Sequence, residues 1–227
     1  MLKGTLGLLA VLALPGLCLA SKPDLTGVWS ITSNDGTLKT LDGKTPPLTP
    51  AADAIYKKHL AQAAKGDRSF DGMTECLPPG LPRLMLEREP FEILQRDKAV
   101  YFVSQVNRLP RRAYFNEKLP SPADVDPVYL GFSVAKWDGD TLQIDSSGFR
   151  DVTLLDDSGL PHSEDLHLTE RYTLSKDGQK LSARFTIEDP KTFTRPWEAR
   201  AEYKKLPGYE IPEEVCADQL ASKKRKE

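Results

Sequence analysis

Residues 132–145 read FSVAKWDGDTLQID. Two runs rich in apolar and β-branched residues flank Asp138-Gly139, and Asp-Gly between such runs is a strong signal for a β-hairpin turn. The same arrangement recurs downstream, where 166–174 and 180–187 flank Asp177-Gly178. Two hairpins with short turns predict an antiparallel sheet in the second half of the chain.

Further strands and one helix extend outward from these hairpins. The other stretches with strand composition are 28–31, 91–95, 99–103, 111–115 and 197–203. A helix is predicted near 49–65, where Thr49 is the cap, Pro50 takes the first helical position and Gly66 ends the helix. Eight or nine strands with one N-terminal helix predict a mainly β fold. We expect a closed antiparallel barrel, with a β-sandwich as the alternative.

Composition and length favour one folded domain. The chain has 227 residues, of which 39% are hydrophobic and 28% are charged, and its net charge is -2. This apolar content argues against a disordered chain, and the charge gives no general attraction to nucleic acid. We predict a single domain over 21–217, followed by a flexible basic tail at 218–227.

The first twenty residues have the pattern of a secretory signal peptide. Lys3 precedes an apolar run at 6–14, and Cys18-Leu-Ala20 places small residues before an expected cleavage ahead of Ser21. The apolar segment is too short for a membrane span. We therefore expect a periplasmic or secreted protein with no membrane span after cleavage.

Cleavage leaves two cysteines, Cys76 and Cys216. In an oxidising compartment an even number of cysteines favours a disulfide, and two free buried thiols are the alternative. The chain contains no C-x-x-C, which argues against a zinc or thioredoxin-type site.

Four motifs carry a resemblance over nearly the whole mature chain. They are G-x-W at 27–29, C-x-P-P-G-x-P-R at 76–83, W-D-G-D-T-L at 137–142 and H-S-E-x-x-H-x-x-E-R at 162–171. The set resembles a large group of exported bacterial proteins, which implies export and one domain but no reaction. The G-x-W opening also resembles that of lipocalins. This likeness implies a barrel whose Trp29 closes one end and whose interior holds a small apolar ligand.

The densest polar segment is 162–171, which contains two of the chain's three histidines. Strand alternation places His167 and Arg171 on one face, and we expect that face to line the barrel interior. An imidazole can transfer protons near pH 7, and a buried guanidinium can hold an anion. The candidate catalytic residues are His162, Glu164, His167, Arg171 and Asp145. The candidate ligand-binding residues are His167, Arg171 and Trp137.

Purely structural alternatives exist for the same residues. His162 and Glu164 also fit the capping of a turn, and Arg171 also fits a pair with an acid on a neighbouring strand. A metal held by His162 and His167 with a carboxylate is a weaker alternative, so no metal is assigned. A basic and aromatic patch at 108–114 is interpreted as a solvated strand edge, with an anionic ligand as the alternative.

The standard motifs of serine hydrolases, zincins, P-loop enzymes and dinucleotide-binding enzymes are missing, so no cofactor is expected. The favoured interpretation is a barrel that binds a small-molecule ligand, with no nucleic acid as a partner. One alternative is a cofactor-independent isomerase, lyase or cyclase that uses a His/Arg/carboxylate site in the barrel. Another is a structural protein of the cell envelope. Whether the protein is an enzyme, and its oligomeric state, are left open.

Overall fold

A computed structural model describes residues 22–32, 36–216 and 218. The predicted signal peptide at 1–20 and nearly all of the predicted basic tail lie outside these residues. Within the described part of the chain, no helix is both long and apolar enough to cross a membrane.

Nine strands in the described residues form a closed barrel in which each strand pairs with the next and the last pairs with the first. The strands are β1 (Gly27–Ile31), β2 (Phe91–Gln95), β3 (Ala99–Ser104), β4 (Pro110–Phe115), β5 (Phe132–Asp138), β6 (Thr141–Ser147), β7 (His167–Leu174), β8 (Lys180–Glu188) and β9 (Trp197–Lys205). The prediction of a mainly β, lipocalin-like barrel is confirmed, and the sandwich alternative is wrong.

One strand pair differs from the antiparallel prediction, because β4 and β5 run parallel. In a closed ring, strand directions can alternate throughout only if the number of strands is even. A ring of nine strands therefore needs a parallel pair. The connection at 116–131 is long because a parallel pair requires the chain to cross from one end of the barrel to the other.

The parallel pair is also the shortest strand pairing in the wall of the barrel. Only Tyr114 with Val134 and Phe115 with Ala135 are paired between β4 and β5. By comparison, β7 and β8 are paired continuously from His167 to Leu174. The two strands of the parallel pair therefore separate on the N-terminal side of Tyr114 and Val134.

The predicted helix is confirmed as α1 (Pro50–Ala63), and the side chain of Thr49 accepts a hydrogen bond from the backbone N–H of Ala52. Short 3₁₀ helices lie at Gly72–Glu75, Arg83–Met85, Val106–Arg108 and Pro122–Asp124. The β1–β2 and β6–β7 connections leave the barrel at the same end, since β1 and β6 point the same way. They contact each other where the Tyr56 hydroxyl lies 2.7 Å from Ser158 Oγ.

The predicted disulfide is present. The sulfur atoms of Cys76 and Cys216 are 2.11 Å apart, and the bridge spans 140 positions. It joins the connection after α1 to the segment that follows β9. Near the start of β1, the fully buried Trp29 donates its indole N–H to the carbonyl oxygen of Leu25.

Candidate functional site

The interior face of β7 is the opposite of the one expected. Leu168, Glu170 and Tyr172 are buried in the barrel, whereas His167 and Arg171 lie on its outer surface. The expectation that His167 and Arg171 line the interior is therefore wrong. The physical reason is that the face with Leu168 and Tyr172 buries more apolar area, and Glu170 has a buried partner.

Arg171 takes part in an outer-surface network instead. Its Nη2 donates to Asp138 Oδ2 over 2.7 Å, and its Nη1 donates to Gln143 Oε1 over 2.6 Å. Asp145 belongs to the same network, where it accepts from the hydroxyl of Thr169 over 2.8 Å. Arg171 thus pairs with an acid, as in the structural alternative, but Asp138 lies at the end of β5, one strand beyond the neighbouring β6.

Trp137 is half-buried, and the cavity that it lines includes neither His167 nor Arg171. It lines an open cavity of about 1080 Å³ at the end of the barrel that carries the β2–β3 and β5–β6 turns. The lining of this cavity mixes acidic and basic side chains, including Asp97, Lys136 and Asp145. The structure therefore does not bring the three predicted ligand-binding residues to one site.

His162 is buried in the β6–β7 connection. Its Nδ1 lies 2.8 Å from the Ser163 carbonyl oxygen, and its Nε2 lies 2.7 Å from the Thr153 hydroxyl. The ring meets Phe149 edge-on. Burial lowers the pKa of His162, outweighing the hydrogen bond to Ser163 and the nearby acids, which raise it. These contacts hold the β6–β7 connection in place. The side chain of Glu164 is exposed.

The predicted catalytic residues do not converge. His162 lies in a connection at one end of the barrel, and His167 lies on the outer surface of β7. Among the residues that the structure describes, no group of three or more His, Cys, Asp or Glu side chains is placed to hold a metal ion. The alternative of a metal site at His162 and His167 therefore has no support in the geometry.

A different charged pair occupies the barrel interior. Arg111 of β4 and Glu170 of β7 are fully buried and form a bidentate ion pair. Arg111 Nη1 lies 3.0 Å from Glu170 Oε1, and Nη2 donates to Oε2. Burial lowers the pKa of Arg111, but the charge of Glu170 more than offsets this, and the net shift is upward.

Hydroxyl groups complete the network around this pair. Arg111 Nη2 donates to Ser146 Oγ over 3.1 Å, and Ser146 Oγ lies 2.8 Å from Ser133 Oγ. The Tyr172 hydroxyl donates to Glu170 Oε1 over 2.7 Å. Burial and the charge of Glu170 raise the pKa of Tyr172 well above its ordinary value, so the phenol stays protonated. The network thus has balanced charges and several oriented hydroxyl groups.

A cavity of about 540 Å³ reaches this network where β4 and β5 separate. Its floor includes Arg111 and Ser133, and the connection at 116–131 lies over it. The remaining lining residues are Pro110, Arg112, Tyr114, Glu117, Lys118, Pro120, Leu130, Gly131, Phe132 and Val134. An apolar space that ends on a few oriented polar groups is the common form of a small-molecule site.

A second buried charge cluster lies in the β1–β2 and β6–β7 connections. Arg83 donates to both carboxylate oxygens of Asp71, over 2.7 and 2.9 Å, and to Asp157 over 3.0 Å. Glu87 Oε1 lies 3.3 Å from Arg83 Nε. Burial and the charge of Asp157 raise the pKa of Glu87 to about 7, despite the opposing effect of Arg83. This cluster ties the connections together and opens onto very little space.

No protein-family model matches this chain, and no curated protein is similar to it. The candidate site is therefore assigned from geometry alone, and it is the cavity between β4 and β5. Arg111 is buried in the barrel interior, so the interpretation of the 108–114 patch as a solvated strand edge is wrong at this residue. The sequence feature that indicates a buried charge is the alternation on β7, where Glu170 lies on the same face as the apolar Leu168 and Tyr172.

Proposed function

We propose that this chain is an exported β-barrel protein that binds a small molecule in the cavity between β4 and β5. A closed β-barrel is consistent with small-molecule binding. Core side chains fill the interior of this barrel, and the cavity lies in its wall, between β4, β5 and the connection at 116–131. The observation that carries the proposal is the short pairing of β4 with β5, limited to two residue pairs, beside a cavity whose lining includes the buried Arg111 and Ser133.

The size and chemistry of this cavity suit a small organic ligand. Its volume of about 540 Å³ lies inside the ordinary range for ligand sites. Leu130, Phe132 and Tyr114 supply apolar wall surface, and Ser133 supplies a hydrogen-bonding group on the floor. An apolar molecule with a polar end therefore gains both desolvation and a fixed orientation.

Export is supported by two independent features. The pattern of the first twenty residues is that of a signal peptide, and the Cys76–Cys216 bridge fits an oxidising compartment. The motif resemblance to exported bacterial proteins points the same way. Together they favour a periplasmic or secreted location.

Binding is favoured over acid–base catalysis because the expected histidines lie away from the cavity. His167 is on the outer surface, and both ring nitrogens of His162 lie at hydrogen-bonding distance from protein groups. Of the buried charged pair, only Arg111 lines the cavity, and its charge is neutralised by Glu170. This arrangement orients a bound molecule more readily than it moves a proton.

Titration with N-phenyl-1-naphthylamine, a neutral apolar fluorophore, tests the proposal. We expect saturable fluorescence enhancement with the natural chain and little with Val134→Trp, which fills the cavity from its wall. Val152→Trp is the matched control, because Val152 is 54% exposed and lies outside this cavity. Absence of saturable binding, or equal binding by the two variants, would contradict the proposed site.

A further inference from the structure

We infer that the ligand of the β4–β5 cavity is an amphipathic monoanion, bound with its charged group at the rim and a neutral hydrogen-bonding group at the floor. This inference rests on the proposed function and adds the chemical class of the ligand. It follows from the way in which charge is distributed between the floor and the rim.

The floor of the cavity is a poor place for an anion. Arg111 is already paired with one carboxylate, that of Glu170, and the side chains of this pair are 1% and 0% exposed. A ligand carboxylate at the floor would place a second negative charge against one cation in a site withdrawn from water, where like charges repel strongly. The floor therefore selects against a second anion.

A neutral polar group fits the same place well. Ser133 lines the cavity, and its Oγ lies 2.8 Å from Ser146 Oγ and 3.3 Å from Arg111 Nη2. Ser133 Oγ also accepts from Arg111 Nε over 3.4 Å, so its two acceptor positions hold long contacts from Arg111 and its hydrogen bond to Ser146 is the short one. A ligand hydroxyl can donate to Ser133 in place of one of these long Arg111 contacts. Such a group adds no charge beside Glu170.

The rim of the cavity, unlike its floor, carries a net positive charge. Arg112 and Lys118 contribute two cations to the lining, and Glu117 contributes one anion. Within the described part of the chain, neither cation has a carboxylate oxygen within 4.0 Å. The Arg112 guanidinium lies 5.8 Å from the centre of the Tyr101 ring, on the outer face of the wall. A ligand anion at the rim thus meets a net positive charge that is still open to solvent.

The space between floor and rim is apolar. Phe132 and Tyr114 present aromatic surface, and Leu130 and Pro120 close the sides. Flat apolar bodies pack well against such walls. The expected ligand is therefore apolar in its middle, neutral and polar at its inner end, and negatively charged at its outer end.

A matched set of naphthalene probes tests this distribution of charge along the ligand by isothermal titration calorimetry at pH 7. The probes are 6-hydroxy-2-naphthoic acid, 2-naphthol and 2,6-naphthalenedicarboxylic acid. We expect the hydroxy acid to bind most tightly. The dicarboxylic acid should bind roughly tenfold more weakly because of its inner charge, and 2-naphthol roughly fivefold more weakly because it lacks the outer charge.

Removal of the rim cations tests whether Arg112 and Lys118 themselves bind the negative charge of the ligand, or whether any loss of positive charge weakens binding. In Arg112→Gln with Lys118→Gln, the affinity for the hydroxy acid should fall to that for 2-naphthol, while 2-naphthol binding stays the same. The matched control is Arg195→Gln with Lys204→Gln, which removes two exposed cations outside the cavity. That control should keep the full preference for the hydroxy acid.

The outcomes distinguish this inference from the proposed function. If N-phenyl-1-naphthylamine does not bind, or Val134→Trp does not block it, the binding site itself is wrong. If that probe binds and is blocked, but the dicarboxylic acid equals the hydroxy acid, the assignment of a neutral floor is overturned. An unchanged preference in the rim variant overturns the assignment of a cationic rim.

Discussion

Arg111 and Glu170 form a buried ion pair across the barrel although 59 positions separate them in the chain. The pair joins β4 to β7, which are not neighbours in the sheet. Because only two residue pairs hold β4 to β5, this cross-barrel contact secures β4 where the wall is open. The ion pair thus lets the barrel keep an opening beside its interior without losing the position of β4.

Glu170→Gln should destabilise the protein strongly, since it leaves the Arg111 guanidinium buried without a counter-charge. Loss of one partner of a buried pair costs about 3–5 kcal/mol in the free energy of unfolding. Urea denaturation measures this change. Glu198→Gln is the control, because its pair with Arg184 is largely exposed and should contribute less than about 1 kcal/mol. Equal losses in the two variants would show that the interior pair has no special role.

Reduction of the Cys76–Cys216 bridge should lower the free energy of unfolding by about 3–5 kcal/mol, since the bridge closes a loop of 140 positions. The measurement is urea denaturation of the natural chain with and without a phosphine reductant. The double variant Cys76→Ser with Cys216→Ser should unfold as easily as the reduced chain and show no response to reductant. A natural chain that ignores the reductant would contradict a stabilising role for the bridge.

Much of the barrel could be predicted from local patterns. The turns at Asp138-Gly139 and Asp177-Gly178 locate two hairpins, and Thr49-Pro50 marks the start of α1. The parallel pair could not be predicted in this way, because no pattern in 116–131 indicates the direction of the strand that follows. Its necessity appears only once nine strands are known to close into a ring.

The site was harder to predict, because a period of two identifies two faces of a strand but not which one is inside. On β7 the polar chemistry of His167 and Arg171 suggested one face, while Leu168 and Tyr172 belonged to the other. The face with the apolar residues is the buried one, and Glu170 is buried because it lies on that face. Its partner Arg111 lies in another strand, and no local pattern links the two.

His162 should make the folded state less stable at acidic pH. Its pKa is lowered from 6.5 by burial, so the unfolded chain binds a proton at this position more readily than the folded chain. The stabilisation is therefore present above pH 6.5 and is lost as pH falls through the folded value. Histidine ring NMR should show a signal that titrates below pH 6.5 and is missing in His162→Gln. A signal that titrates above 6.5 would contradict the prediction.

Glu87 should have the opposite dependence on pH. Burial raises its pKa from 4.5 to about 7, so the stabilisation is present below pH 4.5 and is lost as pH rises through about 7. Glu87→Gln, which mimics the neutral acid, should therefore be more stable than the natural chain at pH 8, by about 3 kcal/mol. The two should be nearly equal at pH 4.5. Thermal unfolding at the two pH values measures this, and an equal difference at both would contradict the assignment.

Ser133→Ala and Ser146→Ala should separate ligand contact from support of Arg111. Both hydroxyls bond to Arg111, so each variant should lose about 1 kcal/mol in the free energy of unfolding. Only Ser133 lines the cavity, however, and only Ser133→Ala should weaken 6-hydroxy-2-naphthoate, by roughly threefold to tenfold. Binding of N-phenyl-1-naphthylamine, which uses the apolar walls, should change little in either variant. If Ser146→Ala weakened the hydroxy acid as much as Ser133→Ala, the effect would come from displacement of Arg111, and Ser133 would not be the group that holds the inner end of the ligand.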